Sequence, residues 1–116
     1  MTQHDDRLYF GHMLDMARLA REFTHGVTKE QFDRNEMMRR ALVNVLQTLG
    51  EAARQVSPAG RATVPEIPWP RVVGMRHRLV HDYMNIDFDV VWQVIEEDLS
   101  SLIAALEAVL SSESPD

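Results

Sequence analysis

Four side chains within nine residues carry groups suited to acid–base and phosphate chemistry. They are Arg76, His77, His81 and Tyr83, in the run Met75-Arg76-His77-Arg78-Leu79-Val80-His81-Asp82-Tyr83. An imidazole exchanges protons near neutral pH, and a guanidinium clamps a phosphate through two parallel N–H donors. Together they meet the needs of RNA cleavage without a metal. A base takes the 2′-hydroxyl proton, an acid protonates the leaving 5′-oxygen, and a cation stabilises the charge that develops on phosphorus. Taken singly, each residue has an ordinary explanation. Arg76 can be a structural ion-pair partner, His81 a core or surface histidine, and Tyr83 a packed ring with a hydrogen-bonded hydroxyl.

These groups must be positioned by a helix, which the spacing predicts from about Trp69 to Tyr83. At 100° per residue, Arg76 and Tyr83 point within roughly 20° of each other. Val72, Leu79 and Val80 fall in the same half of the wheel, so Arg76 is expected on the apolar side, where an unpaired cation is costly. His77 and His81 share a second face, while Arg78 and Asp82 point outward. One helix does not aim all of these groups at one point, whereas two copies across a dimer axis do. A composite site is therefore expected.

Apolar periodicity places the rest of the chain in helices too. Tyr9, Met13, Met16, Ala20 and Phe23 form a stripe that stops at His25-Gly26. Thr28 and Gln31 form a capping-box signature, opening a region that runs through Met38, Leu42, Val45, Leu49, Ala52 and Val56, with a kink expected near Asp33 to Asn35. Pro58, Pro65, Pro68 and Pro70 exclude a regular helix or a central strand over 57–70. Pro68 and Pro70 suit a first helical turn. Asp87 caps a last helix with Phe88, Val91, Ile95, Leu99, Leu102, Leu106 and Val109 on one stripe, before a frayed tail from Ser111. The expected fold is all-α, an up-and-down bundle of four to five helices forming a single domain over 1–116.

Composition narrows the function. With no cysteine among 116 residues, disulfides, thiol nucleophiles and thiolate metal sites are excluded. No apolar run is long enough to span a bilayer, and Met1 to Arg7 does not read as a signal peptide. A soluble, cytoplasmic protein is expected. The net charge of −6 argues against indiscriminate nucleic-acid binding, but it conceals an asymmetry. Residues 34–78 hold eight arginines against three glutamates, and residues 79–116 hold nine acids with no Lys or Arg. A basic middle beside an acidic end can offer an RNA-facing surface and a face for a basic partner. Arg39 and Arg40, like Arg78, are candidate RNA contacts, although a solvated face explains charged helix residues equally well.

At these residues the chain resembles the HEPN superfamily and, within it, the HepT-like toxins. The HEPN signature is an arginine, a polar residue, several spacers and a histidine, and HepT-like members extend it to R-x4-H-x-Y. Arg76, His81 and Tyr83 match it. His77 stands at the polar position, where asparagine is commoner. The resemblance extends to Gly50-Glu51-Ala52, Pro68-Trp69, Ile86-Asp87 and Trp92. It implies a helical bundle, a homodimer that pairs two motifs in one cleft, and metal-independent ribonuclease activity with no cofactor. Arg76, His81 and His77 would be the catalytic residues. It also implies a toxin–antitoxin role, in which an MntA-like nucleotidyltransferase silences the toxin by transferring AMP to Tyr83.

Other assignments stay open. His77 and His81 form H-x-x-x-H, a two-imidazole metal spacing, but lack an adjacent glutamate and an evident third ligand. Gly50 is expected to permit close helix packing, and Glu51 can pair an arginine across the bundle, Arg76 being one candidate. Trp69 and Trp92 read as core anchors rather than base-stacking surfaces. The alternative function is a non-catalytic helical subunit that binds a nucleotidyltransferase.

Overall fold

The computed structural model describes residues 5–82 and 84–112. Helix α1 (Asp6–Thr24) starts where the Asp5 side chain accepts the Leu8 N–H, and the chain leaves it through Gly26 at φ +72°. That left-handed turn is accessible to glycine at no steric cost. The Thr28–Gln31 capping box is present in full and opens α2 (Lys29–Arg34). The expected kink is a break at Asn35, whose side chain then caps α3 (Glu36–Gln55) by accepting the Met38 N–H at 2.9 Å.

Ser57 caps a single-turn helix, α4 (Pro58–Ala62), so the proline-rich segment is not wholly irregular. Pro58 fits because its missing N–H would have no partner at a first helical position. Two short helices follow, α5 (Trp69–Val73) and α6 (Met75–Leu79), then a small antiparallel hairpin of β1 (Val80–Asp82) and β2 (Asn85–Ile86). Asp87 caps α7 (Phe88–Gln93), which runs through a π-helical turn (Val94–Asp98) into α8 (Leu99–Ser112). Of the tail expected to fray from Ser111, Ser111 and Ser112 still belong to α8, and the rest lies outside the described residues.

The architecture is the expected all-α bundle. Helix α1 packs on α3 and α8, while α3 also backs α5, α6 and α7. Met13, Phe32, Leu42, Leu46, Leu49, Met75, Leu79 and Leu106 are fully buried, and among the described residues no polar side chain joins them. Trp69 is the expected core anchor, its indole N–H donating to the Val64 carbonyl at 3.1 Å. Half-buried Trp92 lies against Phe32 with ring centroids 4.9 Å apart. No helix among the described residues is long and apolar enough to cross a membrane.

The main departure concerns the motif segment. The expected helix from Trp69 to Tyr83 is interrupted at Gly74, whose N–H turns back to the Pro70 and Val72 carbonyls, and it ends at Leu79. Two local interactions end it. The Asp87 N–H donates to the Leu79 carbonyl at 2.7 Å, and Asp82 ties the turn beyond it. Val80, His81 and Asp82, each a poor helix former, therefore lie in extended backbone.

Candidate functional site

The break in the helix redistributes the motif residues. Arg76 and His77 sit on α6, both exposed, and the side chain of neither makes an ion pair or hydrogen bond with a described residue. This corrects the expectation that Arg76 projects from the apolar side. Met75 and Leu79 take the buried positions of α6, and Arg76 is left free in solvent. His81 sits on β1, so it shares no helical face with His77, and the helical basis for an H-x-x-x-H metal pair is gone. Among the described residues no three His, Cys, Asp or Glu side chains are grouped to hold an ion. Tyr83, the expected site of modification, lies outside the described residues.

His81 opens onto a shallow hollow shared with Asn85, Ile86, Asp87, Phe88 and Asp89. Its Nε2 stands 3.7 Å from Asp87 Oδ2, while Asp87 Oδ1 accepts the Val90 N–H at 3.1 Å. The cap that starts α7 thus also places a carboxylate beside the imidazole. Sequence reasoning identified Asp87 as a cap but missed that second position. Asp82 fixes the turn: its Oδ1 accepts the Met84 N–H at 2.8 Å and its Oδ2 accepts the Asn85 side-chain amide at 2.9 Å. The Asn85 contact first, then the Met84 N–H, holds the Asp82 carboxyl below the ordinary aspartate range.

Helices α2 and α3 reach the same region. Lys29 bridges Asp33 at 2.8 Å and Asp89 at 3.1 Å, and these two carboxylates, Asp33 foremost, raise its pKa. The Arg39 guanidinium lies over the Phe88 ring, 4.6 Å from its centroid. Arg40 instead pairs with Glu36 on its own helix at 3.0 Å. Arg78 does not point outward as expected. Its side chain is 20% exposed, and its Nη2 lies 3.3 Å from Asp98 Oδ2, an atom that Arg71 also approaches at 3.7 Å. The π turn, in which the Leu99 N–H reaches back to the Val94 carbonyl, ends at this aspartate. Glu51 pairs with Arg54 at 3.8 Å on α3 and not with Arg76.

Gly50 bears out its expected role. A Cβ there would lie 2.9 Å from the Val72 carbonyl oxygen and 3.0 Å from Met75 Cβ. The missing side chain is what lets α3 support the α5–α6 junction immediately before Arg76.

A helical bundle with an R-x4-H-x-Y run at its edge defines a HEPN-type protein, and comparison with known proteins agrees. The family model described as ribonuclease HepT-like matches residues 13–109. The chain belongs to that family. It is 31% identical over 109 residues to a Methanocaldococcus jannaschii protein named "Putative RNase MJ1380", covering 94% of this chain and 100% of that one. It is 30% identical over 99 residues to a Thermococcus cleftensis protein named "Probable ribonuclease HepT", covering 85% and 90% of the two chains. A Caldanaerobacter subterraneus protein named "Putative RNase TTE0752" is 27% identical over 107 residues, 92% of this chain and 96% of that one. No solved structure matches the chain.

Proposed function

We propose that this protein is the toxin of a toxin–antitoxin pair, a single-domain, cytoplasmic, metal-independent endoribonuclease that acts as a homodimer. The observation that carries this reading is an exposed, unpaired Arg76 and, on the following strand, a His81 that faces an anchored carboxylate, in a chain of the HepT-like family. His81 takes the proton of a 2′-hydroxyl. The O2′ attacks phosphorus, the P–O5′ bond breaks, and an imidazolium returns a proton to the leaving 5′-oxygen. Arg76 holds the phosphate and the charge that builds on it, His77 assists, and Asp87 orients His81. Two motifs facing each other across a dimer supply a second His81 imidazole for the acid step.

An MntA-like nucleotidyltransferase is the cognate antitoxin in this reading. The Tyr83 hydroxyl loses its proton and attacks the α-phosphorus of ATP on that partner, pyrophosphate leaves, and the bound AMP adds charge that repels an RNA backbone. Expression of wild type, Arg76→Ala, His81→Ala and Tyr83→Phe tests the assignment through growth and total RNA integrity. Growth arrest with RNA breakdown in wild type, lost in Arg76→Ala and His81→Ala, is the expected pattern. Arrest that persists in both alanine variants would overturn it.

A second reading rests on a separate observation. Asp87, Asp89, Glu96 and Glu97 surround Trp92 in an open hollow on α7 and the π turn, a face suited to a basic partner. If that face is the whole function, the chain is a non-catalytic subunit of a nucleotidyltransferase, and His81→Ala leaves the biological effect unchanged.

A further inference from the structure

Arg39 differs from the other two arginines of α3. Arg40 is paired with Glu36 and Arg54 with Glu51, but Arg39 has no acidic partner or hydrogen bond among the described residues. Its guanidinium lies over Phe88, and its Nε is buried without an acceptor. It is the only side-chain nitrogen or oxygen in that state among the described residues. Contact with an aromatic face limits the motion of a guanidinium, which is already planar by delocalisation. Only Nε is sequestered, so the two Nη atoms are left as the donors available for an incoming group.

The shelf itself is part of the site. Phe88 lines the hollow with His81, and it follows Asp87, the carboxylate beside His81. The charged groups that line this hollow with His81 are Asp87 and Asp89, and Lys29 from α2 reaches Asp89 from outside it. Lys29 is committed to Asp33 and Asp89. Arg39, lying over a ring that borders this hollow, is by contrast claimed by no carboxylate among the described residues.

We infer that Arg39 is a phosphate-binding residue of the RNA site, clamping a backbone phosphate through its two Nη donors while contact with the Phe88 ring limits its motion. The inference rests on the ribonuclease reading and adds a contact from outside the motif. A structural clamp between α3 and α7 is the competing role, and salt dependence separates the two. One phosphate contact on a single strand contributes a slope of about 0.7 in log affinity against log salt.

The experiment measures binding of a fluorescent, mixed-sequence single-stranded RNA oligonucleotide by anisotropy over a salt series. It uses the full chain carrying His81→Ala so that the probe stays intact. Arg39→Gln should weaken binding about tenfold at low salt and reduce the slope by about 0.7 for each protomer engaged. Arg39→Lys keeps the charge but not the planar fork, so it should retain the slope and lose affinity. It also keeps the test decisive if the glutamine variant fails to fold. Arg54→Gln, on the same helix, should change neither quantity. Arg39→Gln with wild-type affinity and slope, or Arg39→Lys with undiminished affinity, would overturn the assignment while leaving the ribonuclease reading intact. Absence of RNA binding in the His81→Ala background overturns both.

Discussion

Replacing Gly50 by alanine sets two effects of known size against each other. In an exposed helix interior the change stabilises by about 1 kcal/mol, because alanine loses less conformational freedom than glycine. At position 50 the new Cβ would meet the Val72 carbonyl oxygen at 2.9 Å and Met75 Cβ at 3.0 Å. Neither gives way easily, since the Val72 carbonyl accepts the Gly74 N–H and Met75 is buried. Overpacking of this kind costs roughly 1–3 kcal/mol, so the expected net change is destabilisation by about 1 kcal/mol. For a domain of this size that lowers the thermal midpoint by about 4 °C. Gly11, in the middle of α1, has nothing within 4 Å of its would-be Cβ. Gly11→Ala should therefore stabilise by about 0.5–1 kcal/mol. Circular-dichroism melts of the two variants beside wild type should move in opposite directions. A Gly50→Ala midpoint at or above wild type would refute the close approach of α3 to the α5–α6 junction.

Asp98→Ala should cost about 1 kcal/mol in urea unfolding, because it strips Arg78 and Arg71 of their shared carboxylate at partly exposed positions. Asp87→Ala should lose about 1 kcal/mol of helix capping, and Asp87→Asn, which keeps a cap, should retain the fold; a lower cleavage rate in the asparagine variant would report the carboxylate beside His81. The Asp82 pKa is depressed in the folded chain, so its contribution to the turn is present above the ordinary aspartate range near pH 4 and is lost as pH falls through the lower folded value. The Met84 amide resonance should therefore move in that acidic window, and Asp82→Asn should abolish the movement.

Much of the scaffold was legible because its signals are local. Thr28 and Gln31 cap each other three residues apart, Asp87 caps the segment that follows it, and Gly26 supplies a left-handed turn. The motif helix misled for a definite reason. Leu79 and Val80 continue a helical stripe, but two contacts that the stripe does not encode decide the structure: Asp82 with Met84 and Asn85, and Asp87 with Leu79. The first had a visible cue, since aspartate readily bonds its own backbone two residues on. The π turn ending at Asp98 and the stacking of Arg39 on Phe88 depend on elements that meet only in the folded chain. Periodicity carries no trace of them. The choice of Arg76, His81 and Tyr83 came from their chemistry and their resemblance to a family motif, and the geometry then separated Arg76 and His77 on a helix from His81 on a strand.

The most direct test of the central proposal is incubation of purified, unmodified protein with RNA in the presence of EDTA, beside the His81→Ala variant. Intact mass must first establish that Tyr83 carries no AMP. The expected result is cleavage by wild type, leaving 2′,3′-cyclic phosphate and 5′-hydroxyl ends, with none by His81→Ala. Intact RNA in both reactions, or equal cleavage in both, would contradict it.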